Sequence, residues 1–270
     1  MKTKIFNFML VFALVSIIFS GCKKDISDND VTSAKDDALA QQTFDNVNQI
    51  SDEAYSTKTG LKKSGGAIIG GCANLTLDTT VVPHVLTIDF GSTNCYCLDG
   101  KFRRGSIVIS FNGHYRDSGS VHTTVFNNYF VNDNQVTGTR VRTNNGKNTA
   151  GNYTISYNVN ASIILANSAG TISWTTNIVT EWIAGYSTMS IWDDTYLITG
   201  TSSGTRLNGT AYTKTIITPL KKEMMCHFLE SGTVEIVRSN KPTITIDFGN
   251  GNCDALATAT MNGITYNITL

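Results

Sequence analysis

Five sets of residues could carry chemistry. Asp89 and Asp247 occupy the same place in a repeated segment, Thr87-Ile88-Asp89-Phe90-Gly91-Ser92-Thr93-Asn94-Cys95 against Thr245-Ile246-Asp247-Phe248-Gly249-Asn250-Gly251-Asn252-Cys253. A carboxylate pair about 5 to 9 Å apart is the geometry of glycoside hydrolysis. Two copies packed around a pseudo-twofold axis would bring these acids together; solvent-facing or turn-stabilising acids are the alternative. His114 and His122 flank a hairpin and could face each other across it, yet no carboxylate trio accompanies them as further metal ligands. Asp193-Asp194 and Asn132-Asp133-Asn134 start like calcium loops but do not continue into the ligand spacing, so they read as turns. Trp174, Trp182, Trp192, Tyr186 and Tyr196 fall in one third of the chain, either as core or as a stacking surface for sugars. No catalytic residue, metal site or cofactor is assigned, and the chain reads as a non-enzyme.

The fifth set is the six cysteines, and the N-terminus decides how to read them. Lys2 and Lys4 precede an apolar run from Ile5 to Phe19, the layout of a secretory signal. The run is about 15 residues, short of the roughly 20 that span a bilayer. Ile18-Phe19-Ser20-Gly21-Cys22 resembles a lipobox, with Phe19 where Leu is usual. That resemblance implies a signal peptide over 1–21 and a Cys22 that takes up acyl chains. Two or more chains give stable anchoring without a spanning helix. The partner so implied is membrane lipid, and the address is the cell envelope.

Export places the remaining cysteines in an oxidising compartment, where disulfides persist. The repeat then suggests the pairing. Cys72 lies upstream of the first copy and Cys226 upstream of the second, and each copy runs on to an Asn-Gly (about 72–113 and 226–263). Matched copies favour Cys72–Cys95 and Cys226–Cys253. Each closes a loop of about 25 residues, which the chain-entropy model values at about 3 kcal/mol. Cys97 is left over, and Cys72–Cys97 stays open as an alternative because Cys95 and Cys97 share one side of a strand.

These residues need elements to position them. Lys23 to Ala34 is polar and aperiodic and reads as a disordered spacer. From Asp36 to Thr57, Leu39, Phe44, Val47, Ile50, Ala54 and Tyr55 recur at steps of mostly three and four, which predicts one short amphipathic helix. Asp36 and Asp37 suit its N-terminus. Gly60, Gly65 and Gly66 form a joint. The tether thus covers 22–66 and the body 67–270. In the body the period is two: Tyr153, Ile155, Tyr157, Val159 and Ala161 alternate with polar residues, as do Ile172, Trp174, Thr176 and Ile178, and Ile264, Tyr266, Ile268 and Leu270. Asn112-Gly113, Asn208-Gly209 and Asn262-Gly263 supply hairpin turns. The prediction is an all-β antiparallel meander of about a dozen strands, forming a sandwich or a curved barrel-like sheet. Arg103 and Arg104 fall at a solvated strand end.

The balance of 21 basic and 21 acidic residues, unclustered, gives no electrostatic bias toward nucleic acid. Charged residues are only 16% of the chain, below the roughly 25% of ordinary domains, and Thr, Asn, Ser and Gly replace them.

Several stretches together resemble a family of uncharacterised Bacteroidota cell-envelope lipoproteins, for which no activity is established. They are the Cys22-Lys23-Lys24-Asp25 start with Asp28 and Asp30, the Phe44–Ala54 helix, Asp193-Asp194-Thr195-Tyr196-Leu197-Ile198-Thr199-Gly200, and the closing Thr-Ile-Asp-Phe-Gly unit with its Asn262-Gly263 turn. The resemblance implies an outer-membrane lipid anchor, surface exposure through the acids after Cys22, and no catalytic residues. The function expected is a non-enzymatic structural, adhesive or glycan-binding module, with surface glycan or another envelope protein as partner. A hydrophobe-carrying assembly lipoprotein or a polysaccharide hydrolase is the alternative.

Overall fold

The computed structural model describes residues 28–59, 68–188, 190 and 192–270. The signal segment, Cys22 and the glycine joint lie outside them.

The body is a single antiparallel meander. Its strands are β1 (Asn74–Asp78), β2 (His84–Asp89), β3 (Cys95–Tyr96), β4 (Phe102–Phe111), β5 (Val121–Val131), β6 (Asn134–Lys147) and β7 (Tyr153–Ile164). There follow β8 (Thr171–Ala184), β9 (Thr195–Thr205), β10 (Ala211–Glu223), β11 (Ser231–Arg238), β12 (Lys241–Asn250), β13 (Leu256–Met261) and β14 (Ile264–Thr269). They form one continuous 14-stranded sheet that does not close, with β1 and β14 as its edges and β3 paired only to β4. The all-β expectation holds, in the form of a curved open sheet.

Paired residues on neighbouring strands point to the same face, so the register traces the inner face across the molecule. One row reads Leu86, Ile109, Thr124, Arg140, Val159, Thr176, Ser202, Lys214, Ile236, Ile244, Met261. Helix α1 (Asp28–Thr59) lies on this face. It touches β1, β2 and β8, strands far apart in sheet order, so the sheet curls around it. Phe44, Val47, Ile50, Ala54 and Tyr55 are buried, as the three- and four-residue spacing predicts. Their core partners include Leu86, Ile88, Ile107, Ile109, Val159, Ile163 and Trp174. Phe44 stacks on Trp174 at 5.0 Å between ring centres.

Two local expectations need correction. The helix begins at Asp28, so Asp36 and Asp37 are interior to it and Asp28 to Ala34 is helix rather than spacer. Helix propagation from turns held by packing costs little per residue, even where the sequence is polar. Of the three Asn-Gly pairs read as hairpin turns, Asn262-Gly263 has positive φ at both residues (53° and 75°), as a type I′ turn requires. Asn112 instead turns its side chain to accept from the Val121 amide at 2.7 Å, and the longer β4–β5 connection it closes removes the need for that turn.

Candidate functional site

The cysteines pair as the repeat suggests. Cys72–Cys95 and Cys226–Cys253 are both bonded, each with Cα atoms 5.6 Å apart. Cys97 is free and buried, which removes the Cys72–Cys97 alternative. The bridges staple the two repeat copies at their strand ends.

The aspartates of the repeat do not converge. β4 to β11 lie between β2 and β12 in the sheet. Each carboxylate accepts from the amide two residues on, Asp89 from Gly91 and Asp247 from Gly249, both at 2.9 Å. Both copies therefore use the acid to fix the same turn.

The histidines part company. His114 is exposed and meets the Tyr55 hydroxyl through Nδ1. His122 is buried, with its ring 5.3 Å from Phe111 and 4.1 Å from Tyr115, nearly parallel to both. Burial first, then the Arg142 charge, pushes its pKa down to about 3, so it stays neutral. Among the described residues, no three His, Cys, Asp or Glu side chains gather to hold a metal.

Arg103 corrects the solvated-strand-end reading. It is fully buried, and its guanidinium donates to both Asp99 oxygens at 2.7 and 2.6 Å and to Asn46 Oδ1 at 2.6 Å. This ties α1 to the β3–β4 connection. Arg104 is half-buried and pairs with Asp133 and, at 2.8 Å, with Asn94.

The tryptophans divide between core and surface. Trp174 belongs to the core beneath α1, and Trp192 is exposed. Trp182 and Tyr196 join a row that crosses five strands: Lys147 on β6, Tyr153 on β7, Trp182 on β8, Tyr196 on β9 and Lys222 on β10. Strand pairing alone puts these side chains side by side on the inner face. Three aromatic rings thus stand between two cations. The Lys147 ammonium lies 5.2 Å from the Tyr153 ring centre, and Lys222 donates to the Phe228 carbonyl at 3.3 Å.

The β8–β9 loop completes the row. Tyr186 stacks on Tyr153 at 3.9 Å and meets Trp182 edge-on at 4.8 Å. Arg116, from the β4–β5 loop, places its guanidinium 5.0 Å from the Trp182 ring and 5.2 Å from Tyr186. It also donates to the Tyr186 carbonyl at 3.3 Å. Beneath them Asp194 is buried and accepts from Trp182 Nε1 at 3.1 Å and from the Tyr196 hydroxyl at 3.0 Å. Burial raises the Asp194 carboxyl pKa, and burial together with Asp194 raises that of Tyr196. Gly185 permits this packing. A Cβ there would stand 2.3 Å from Asp194 Oδ1, and its φ of +89° favours glycine.

Trp182, Tyr186 and Tyr196 were visible in the sequence as an aromatic cluster. Tyr153, Arg116, Lys147 and Lys222 were not tied to it, because only strand register and a loop contact bring them there. Tyr153 heads an alternating run, and that alternation was the one available signal.

A second feature lies at the C-terminal end of α1. Tyr55, Thr59, Leu77, His84, Phe111 and His114 line a mostly apolar pocket of about 240 Å³. The chain matches no protein-family model, no curated protein and no solved structure.

Proposed function

We propose that the protein is a cell-envelope module, anchored by lipid on Cys22, that binds rather than catalyses. Its contact surface for glycan is formed by Lys147, Tyr153, Tyr196 and Lys222 of the row, with Tyr186 and Arg116, around the buried Trp182. The row is the observation that carries the reading. A pyranose presents C–H groups on its faces and hydroxyls at its rim. Flat rings flanked by cations match both, since each tyrosine offers an apolar face and a polar tip.

The course of α1 supports the same reading. Its Tyr55 end contacts Phe111, His114 and Tyr115, at the strand ends that carry the aromatic row. Asn46, nearer the helix start, bonds Asp99 and Arg103 toward the opposite strand ends. The chain back to Cys22 therefore leaves from the end away from the row, and a membrane anchor there would leave the row facing outward. The hydrophobe-carrier alternative has weaker support, because the apolar pocket by α1, about 240 Å³, is below the roughly 300–1,000 Å³ of typical ligand sites.

A glycan array probed with the full chain and with the Tyr153→Ala/Tyr186→Ala variant tests the glycan surface. Binding to a defined set of glycans is expected, weakened at least about tenfold in the variant, as for the loss of about 1.4 kcal/mol. No binding by the parent protein, or equal binding by the folded variant, would end this reading.

A further inference from the structure

We infer that β14 is a self-association edge, by which two copies of this chain pair strand to strand. The internal repeat is the starting point, and its likeness extends to strand register. In the first copy one row runs Leu75, Ile88, Ile107, Phe126 and the next Leu77, Leu86, Ile109, Thr124, over β1, β2, β4 and β5. In the second copy the matching rows are Val234, Ile246, Ala259, Tyr266 and Ile236, Ile244, Met261, Ile264, over β11, β12, β13 and β14. β14 is thus the counterpart of β5. β5 carries a further strand, β6, on its far side. Among the described strands none pairs with the far side of β14, which is last in the sheet order.

The vacant rail is intact. Leu270 N–H donates to the Ala255 carbonyl at 2.9 Å, and the tight Asn262-Gly263 turn joins Met261 to Ile264. The even-numbered residues therefore bond β13, and antiparallel geometry turns the N–H and C=O groups of Thr265, Asn267 and Thr269 to the open side. Edge strands are ordinarily blunted by charge, proline or a bulge. From Leu256 to Leu270 there is no Asp, Glu, Lys, Arg, His or Pro, and the β13–β14 register is unbroken. The other edge is protected. β1 is five residues long, ends on Asp78, and has Leu75 and Leu77 packed against the core.

The occupant that fits is β14 of a second copy. Antiparallel pairing about a twofold axis near Tyr266 or Asn267 sets Ile264, Tyr266 and Ile268 against inner-face residues of the partner, apolar against apolar. Thr265 and Asn267 meet their own kind on the outer face. The segment has no charge to oppose itself, and the contact is self-complementary, as a closed dimer requires. It continues the existing sheet by the interaction that already joins β11 to β14.

Sedimentation of the full chain in density-matched detergent, across micromolar concentrations, tests the inference. The expected protein mass is twice that of one chain. The Thr265→Lys/Asn267→Lys variant puts like charges opposite each other in either register, and its mass is expected to halve while its circular dichroism and melting stay those of the parent. In cells, Tyr266→Cys or Asn267→Cys is expected to give a covalent dimer on a non-reducing gel. A parent protein that stays monomeric at every concentration overturns the inference. So does a doubled mass that survives the folded double-lysine variant, or a cysteine cross-link to a different protein.

Discussion

His122 shows how a single residue's setting decides between chemistry and structure. As a free side chain it would change charge near physiological pH. Here it is sandwiched between Phe111 and Tyr115, and its pKa falls from 6.5 to about 3. The sign of the pH effect follows. Between those two values the unfolded chain holds a proton on this ring and the folded chain does not. Stability is thus complete above 6.5 and falls as the pH drops toward 3, by at most about 1.4 kcal/mol per pH unit from this group. His122→Phe keeps a flat ring of similar size and removes the titration. Urea unfolding at about pH 7.5 and about pH 4 should show a smaller loss for the variant than for the parent. Equal losses would mean that His122 already carries a proton when folded. The sequence placed His114 and His122 on either side of a hairpin and gave no metal site. It could not show that aromatic rings from β4 and the β4–β5 loop close over one of them and leave the other in solvent.

At the scale of elements, more was legible. The period-two runs became β7, β8 and β14, and the helical stripe became the buried face of α1, because periodicity reports burial directly. The repeat yielded the disulfides because matched copies fold alike. Features made by register alone were hidden. The aromatic row needs five strands aligned, and Arg103 is buried because α1 brings Asn46 onto it while Asp99 turns back from the adjoining loop. Neither arrangement has a local signature. The helix–sheet contact itself invites a quantitative test. Phe44 stacks on Trp174 and meets Phe126 edge-on at 6.1 Å, joining α1 to β8 and β5 at once. Phe44→Ala should cost about 3–5 kcal/mol, the range for a buried aromatic truncated in a core, read as a lower denaturant midpoint. A change under about 1 kcal/mol would mean that α1 contributes little to the stability of the sheet, since scattered surface substitutions stay near that level.

For the whole molecule, the decisive property is polarity from one end of the strands to the other. Among the described residues no helix is long and apolar enough to cross a membrane; the attachment proposed above is through acyl chains at Cys22. Toward its N-terminus α1 passes the strand ends carrying Asp99 and Arg103, where Asn46 bonds both. The β6–β7 turn with Ala150, next to Tyr153 and Lys147, is at the other end, and Ala150 is exposed. An anchored molecule would then extend outward along α1, whose 32 residues span about 48 Å at about 1.5 Å per residue. If the anchor sits in the outer leaflet, a cysteine at Ala150 should react with a membrane-impermeant maleimide on intact cells. Its labelling should match that after permeabilisation, and Cys22→Ala should release the labelled protein from the membrane fraction. Labelling that appears only after permeabilisation would put the row on the inner side of the outer membrane, where it meets envelope polymers rather than exterior glycans. Retention of the Cys22→Ala protein on membranes would show that something other than acyl chains holds it there.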